Sequence, residues 1–264
     1  AENMAAVLSV LALLTASVAR AQKQCAGSGN DYLSIEIGDY MYYQTDVWHS
    51  NALSSGWWEC IYFQNGQKIV EYTLWPSTYG DNSVKAYPSI VAGWNFGVGY
   101  KYGYGAGGLP FAVSDQKTVM TTWDIQHQNW NNDGDKYEAY DCAYDIWLSD
   151  DPNLSANGTP GLEFMVFLRA INTSPAGTVV DTASNICGTN WKIYKGNGGT
   201  AAPLWSWILD DASYQLNNCN LNELLQYMQQ HHAGVLPSYV IGIQAGQEIN
   251  QGTGMFNNTR FTLS

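Results

Sequence analysis

From Tyr32 onward the sequence is a succession of short apolar segments rich in Tyr, Trp, Val, Ile and Thr, separated by Gly, Asn, Asp and Pro. Runs of β-branched and aromatic residues punctuated in this way predict strands, most clearly over 69–75, 117–126, 140–148, 162–168, 190–194, 204–209 and 239–244. No amphipathic helices intervene, which disfavours a parallel sheet with crossover helices and points to an antiparallel sandwich. One helix is expected, over 220–230. There Leu221, Leu224, Leu225 and Met228 fall at helical spacing, Asn220 can cap the first turn, and Pro237 follows the end. The Gly- and Tyr-rich stretch 97–108 reads as a flexible loop with adhesive aromatics. No repeat and no polar stretch of linker length divides the chain, so a single all-β domain is expected.

Period-two alternation inside these strands makes three acids conspicuous. In 162–168 it puts Glu163, Met165 and Phe167 on one face and Leu162, Phe164, Val166 and Leu168 on the other, which is the expected core face. In 241–248 it turns Ile241, Ile243 and Ala245 inward and Gly242, Gln244, Gly246 and Glu248 outward. Glycines repeated on one face either leave room for a ligand against the backbone or mark a bulge. Asp145 shares a face with Ala143 and Trp147. A carboxylate among apolar neighbours is costly unless it has a partner or lies in a wet groove.

Composition narrows the chemistry. Eleven Lys and Arg against 23 Asp and Glu leave a formal charge of −12 over 264 residues, which argues against nucleic acid as a partner. Eleven Trp and 18 Tyr occupy the place of the missing charge. Only eight glutamates are present, so two of them set in apolar strands stand out. Acids on Trp-rich strands fit glycoside hydrolysis, in which one carboxyl attacks or activates water and a second protonates the leaving oxygen. Acids that are merely half-buried on strands fit equally well.

The apolar run 5–14 followed by Ala19-Arg20-Ala21 reads as a secretory signal peptide over 1–21, although Glu2 stands where a basic residue is usual. The run is too short to span a bilayer, so no membrane partner is expected. In a secreted chain the five cysteines favour disulfides. Cys25 with Cys60 would tie down a free N-terminus, and Cys187 with Cys219 is a second pairing, which leaves Cys142 over. No CxxC or HxxxH spacing suggests zinc, and His231-His232 at the helix end reads as a dipole partner, so no metal or cofactor is expected. Asn153, Asn157, Asn172 and Asn257 head glycosylation sequons.

Several segments, in order, resemble glycoside hydrolase family 12, the secreted endo-β-1,4-glucanases and xyloglucanases. Val84-Lys85-Ala86-Tyr87-Pro88 is similar to the family's Val-Lys-Ser-Tyr-Pro, and Ala143-Tyr144-Asp145-Ile146-Trp147 to Ala-Tyr-Asp-Leu-Phe. Glu163-Phe164-Met165-Val166-Phe167 resembles the nucleophile strand, residues 191–196 a Trp-x-Leu-Tyr-x-Gly segment, and Gln244-Ala245-Gly246-Gln247-Glu248 the acid/base strand. The resemblance implies a β-jelly roll of two antiparallel sheets over 22–264 with one short helix on its outer side. It implies a secreted monomer acting on β-glucan by a retaining mechanism, with Glu163 as nucleophile and Glu248 as acid/base, their carboxyls about 5–5.5 Å apart. Glu248 should have the higher pKa of the two. Asp145 would hold Glu163, Trp48 would stack a glucosyl unit beside Asp46, and Met165, Phe167 and Gln244 would line the cleft. Asp46 replaces the usual Asn, Ile249-Asn250 replace Pro-Phe, and Phe167 replaces Trp. A xyloglucan-specific enzyme, a catalytically silent glucan-binding protein on the same fold, and for Trp48 a simple core position remain open alternatives.

Overall fold

The computed structural model describes residues 23–27, 31–131, 134–197 and 202–264. The expected signal peptide lies outside them. In chain order the strands are β1 (Gln24–Ala26), β2 (Ser34–Ile37), β3 (Met41–Gln44), β4 (Trp58–Gln64), β5 (Gln67–Leu74), β6 (Ser89–Asn95), β7 (Gly99–Tyr100), β8 (Phe111–Ala112) and β9 (Met120–Asn129). They continue with β10 (Ala139–Ser149), β11 (Leu162–Ile171), β12 (Thr178–Ile186), β13 (Thr189–Asn197), β14 (Pro203–Leu209), β15 (Gln215–Asn220), β16 (Tyr239–Gly246) and β17 (Ile249–Leu263). The helix α1 covers Leu221–His231.

Pairing sorts these strands into two sheets. One runs β2-β3-β6-β16-β10-β11-β14-β13-β12, antiparallel throughout except where β11 and β14 lie parallel. The other runs β1-β4-β5-β17-β9-β15. The chain passes from the first to the second just after Glu248, where Ile249 still pairs with Tyr140 of β10 before β17 joins β5 and β9. This is the expected sandwich. Leu162, Phe164, Val166 and Leu168 all face the core between the sheets, with Tyr144, Ile146, Val70, Tyr72 and Phe256. Burying such side chains contributes roughly 1.5–3 kcal/mol each relative to exposure.

The helix forms where its apolar spacing predicts, and the Asn220 side chain accepts from the Asn222 N–H as its cap. Leu221, Leu224, Leu225 and Met228 join the core, and Tyr227 meets the Trp207 ring edge-on at 5.3 Å. Helix α1 thereby covers the core face of β13 and β14. Both expected disulfides, Cys25–Cys60 and Cys187–Cys219, are present, and Cys142 is free and buried. The first links the β1–β4 pair; the second ties the β12–β13 turn to the strand entering the helix.

Two expectations change. The 97–108 stretch is pinned: the Tyr100 hydroxyl donates to Pro152 O, the Tyr102 hydroxyl to Met41 O, and Lys101 to Ser34. Ile241 packs with Trp94 and Trp147 instead of joining the main core. The β10–β16 register shifts there, Trp147 standing opposite Gly242 and Leu148 opposite Val240, so Ile241 is an extra residue and strict alternation breaks.

Candidate active site

The residues facing away from the core on the first sheet form a cleft with two lobes, of about 300 and 250 Å³. Trp48, Glu163 and Glu248 line both lobes. The larger lobe adds Asp46, Asn95, Phe96, Asp145 and Trp147; the smaller adds His49, Ser83, Met165, Phe167 and Leu204. All eight residues that the sequence singles out for the site therefore reach one cleft.

Register explains how. On β10 the cleft-facing residues are Asp141, Ala143, Asp145 and Trp147. Glu163 on β11 stands opposite Trp147, and Met165 opposite Asp145. On the other flank Gln244 pairs with Asp145 and Gly246 with Ala143, and the Asp141 N–H donates to Glu248 O at 2.9 Å. The two glutamates thus belong to opposite ends of the same run of β10. Because both line the same lobes, the sheet must curl so that its ends face each other over Ala143 and Asp145. A bulge in β11, where the register shifts between Cys142 and Ala143, bends the sheet at that point. The Tyr87 hydroxyl closes the floor by donating to Ala143 O at 2.9 Å.

The glycines of β16 have a different role from lending room to a ligand. A Cβ on Gly242 would come within 2.1 Å of Trp94 O, and one on Gly246 within 2.4 Å of Pro88 O. Both spaces are filled by the backbone of β6 and its entry, a close approach that only glycine permits. Gln244 lies on the cleft floor with its amide already engaged: Nε2 donates to Asn95 Oδ1 at 2.8 Å and Oε1 accepts from Ser89 at 3.4 Å. Asn95 in turn donates to Gln44 Oε1 and to the Tyr42 hydroxyl, and Gln44 reaches Asp46 at 3.5 Å. This network fixes the floor from β16 across to Asp46.

Trp48 is 50% exposed, which rules out the core reading. His49 stacks flat on it, 5.3 Å between centroids and 10° between planes, and His49 Nδ1 lies 2.8 Å from Val84 O. The ring pair stands between the lobes, because His49 lines only the smaller one. Trp147 is held from behind by an edge-on contact with Trp94 at 5.8 Å.

Crowded carboxyls in a poorly solvated cleft hold their protons. Burial, then the charges of Glu163, Glu248 and Asp46, push Asp145 well above the usual carboxylate range. Burial raises Glu248 too, partly offset by a hydrogen bond from Asp141. Asp141 is itself pushed well above its ordinary value by burial and by the Glu248 charge, so it keeps the proton it donates to Glu248. Asp46 is raised by burial to about 7. The Tyr87 phenol, buried beside Asp145, Glu248, Asp141 and Glu163, stays neutral. Among the described residues no group of three or more His, Cys, Asp or Glu could hold a metal ion.

Asp141, Tyr87, Asn95 and His49 are site residues that alternation alone does not single out. Asp141 carried a usable signal, since it lies two and four residues before Ala143 and Asp145 on the same strand face.

A β-sandwich whose one sheet curls over paired carboxyls between tryptophan rings defines a carbohydrate-cleaving hydrolase. Residues 44–264 match the profile of Glycosyl hydrolase family 12, and the chain belongs to that family. It is 28% identical to Endoglucanase S of Pectobacterium parmentieri, over 98% of this chain and 92% of that protein. It is 26% identical to an Aspergillus fumigatus protein named "Probable xyloglucan-specific endo-beta-1,4-glucanase A", over 97% and 95% of the two chains. The solved structure of a family 12 xyloglucanase from Bacillus licheniformis with bound ligand superposes with a TM-score of 0.76 at 30% identity, over 92% of this chain and 99% of that one. Trichoderma harzianum Endoglucanase 3 shares the fold at a TM-score of 0.74.

Proposed function

We propose that this glycoside hydrolase is a secreted, retaining endo-β-1,4-glucanase acting on cellulose-type glucans. The observation that carries the reading is that Glu163 and Glu248 line both lobes of one cleft from opposite flanks of β10. Glu163 attacks the anomeric carbon and Glu248 gives its proton to the leaving oxygen; Glu248 then removes a proton from the water that releases the glycosyl-enzyme. Asp145, held neutral by burial and by the charge of Glu163 beside it, positions Glu163. Lobes on both sides of the acids suit cleavage within a chain. Residues 1–21 are removed on secretion, and 22–264 forms the single catalytic domain, working as a monomer. Two disulfides suit an oxidising compartment. The likeness to a xyloglucanase structure at 30% identity favours xyloglucan as the second reading of the substrate.

A reducing-sugar assay on carboxymethylcellulose, barley β-glucan and xyloglucan, with Glu163→Gln as the blank, tests the activity. Proton NMR of freshly released ends tests the stereochemistry. No release above the blank on any polymer overturns the enzyme reading, and an α-configured first product overturns retention.

The free face of Trp48 serves as the sugar platform in the larger lobe. Ring stacking adds about 0.5–1.5 kcal/mol to the area buried, and it acts alike in ground and transition states. Trp48→Ala should therefore raise KM on β-glucan roughly tenfold and leave kcat within about threefold. A fall in kcat with KM unchanged would remove Trp48 from the platform role.

Asp46 gives a pH prediction. Its folded pKa of about 7 lies above the ordinary carboxyl value, so the folded state binds the proton more tightly. The stability this contributes is present at acid pH and is lost as pH rises through about 7. Asp46→Asn removes that titration. Its melting temperature should draw ahead of the unsubstituted enzyme between pH 5 and pH 8; parallel curves would show that Asp46 does not titrate there.

A further inference from the structure

A second groove, of about 720 Å³, lies beside the cleft and is lined by Trp75, Tyr79, Asn82, Asn131, Tyr137 and Gln251. The chain passes from one to the other between consecutive residues: Asn82 lines the groove, and the next residue, Ser83, lines the smaller catalytic lobe. This segment is held in place. The buried Lys85 ammonium donates to Ser83 O at 2.6 Å and pairs with Asp81 at 3.2 Å, and Asn250 Nδ2 donates to Asn82 O at 2.6 Å. The opposite bank is tied as firmly, since Gln251 Nε2 donates to Tyr137 O at 2.8 Å.

The lining chemistry is specific. Tyr79 is fully exposed and Tyr137 is 46% exposed, so two rings stand in water at one groove. Exposed rings gathered with polar groups mark a binding surface. The described lining carries no charged side chain, which removes the usual means of holding a phosphate, a carboxylate or a cation. What remains is ring faces and carboxamides, the pairing that suits a neutral ring carrying hydroxyls. The groove's volume falls in the ordinary range for small-ligand sites.

We propose that this groove is a second binding site for a β-1,4-linked glucan chain, resting on the reading of the enzyme as a glucanase. The occupant follows from continuity: a polymer leaving the smaller lobe past Ser83 meets Asn82 and the tyrosine rings next. Tyr79 and Tyr137 stack on sugar units, and Asn82, Asn131 and Gln251 bond their hydroxyls. The site holds long substrate close to the catalytic carboxyls by raising its effective concentration, and it adds nothing for a substrate too short to reach it.

The test is the double variant Tyr79→Ala/Tyr137→Ala, built in active enzyme and in a Glu163→Gln background. In native gels containing barley β-glucan or xyloglucan, with saturating cellotetraose to occupy the cleft, the Glu163→Gln protein should be retarded. The double variant should bind the polymer at least about fivefold more weakly. In active enzyme the same double variant should keep its kcat/KM on cellotetraose within about twofold. Equal retardation of the two proteins overturns the proposal, as does equal retardation by an α-linked glucan. A matching loss on cellotetraose also overturns it, because the rings would then serve the cleft or the fold. Absence of hydrolysis of every glucan by the unsubstituted enzyme is a separate result, which defeats the glucanase reading instead.

Discussion

Glu163→Gln should lower kcat on β-glucan by about four orders of magnitude or more while leaving the fold intact. Glutamine keeps the size of the side chain and an oxygen that can accept from Asp145, but it cannot form a glycosyl ester. The position is buried, so the substitution also removes the cost of keeping a carboxylate charge away from water. The melting temperature should hold or rise. A loss of activity with a lowered melting temperature would trace to folding, and a loss under about a hundredfold would take the nucleophile role from Glu163. A fluorinated glucoside with a good leaving group supplies an independent check, since it should leave a sugar bonded to the peptide that contains Glu163. The same reagent should leave the Gln variant unlabelled.

That glutamate is legible in the sequence because a regular strand obeys period two, and four apolar residues on the other face fix which side is core. The expectation for β16 fails in one detail for a related reason. Ile241 is the extra residue where the β10–β16 register shifts, and alternation read along one strand knows nothing of its neighbour. Gly242 and Gly246 make the same point: their close contacts are with Trp94 O and Pro88 O, atoms far away in sequence. Tyr87 and Asn95 come from other segments of the chain, Tyr87 through its bond to Ala143 O and Asn95 through Gln244, so their place in the site emerges only once those segments are brought together. His49 escapes notice because its role is to stack on the residue beside it, which no spacing rule encodes. The carboxyls themselves sit on one strand face each, and what brings the two glutamates together is the curl of the sheet.

Glu248→Gln should separate the two halves of the reaction. With an ordinary glucan, the leaving oxygen needs a proton as its bond to the anomeric carbon breaks, and loss of the acid should cost about 10²–10⁴-fold in kcat/KM. An aryl glycoside with a stable phenolate leaving group needs no such proton, so Glu163 can still form the glycosyl-enzyme at a near-normal rate. The variant then stalls, because no base removes the proton from water. Azide ion, small and already nucleophilic, should occupy the space left by the missing charge and take the sugar, giving a β-glycosyl azide and restoring turnover of the aryl substrate. The unsubstituted enzyme must hold the Glu248 proton to begin each cycle. Its kcat/KM should therefore fall as pH rises through the raised pKa of that carboxyl, and the limb should vanish from the variant's profile with aryl substrate. Rescue by azide with an α-configured product would place the two carboxyls in exchanged roles. Absence of rescue, with the alkaline limb retained, would assign the proton to Asp141, which shares it with Glu248.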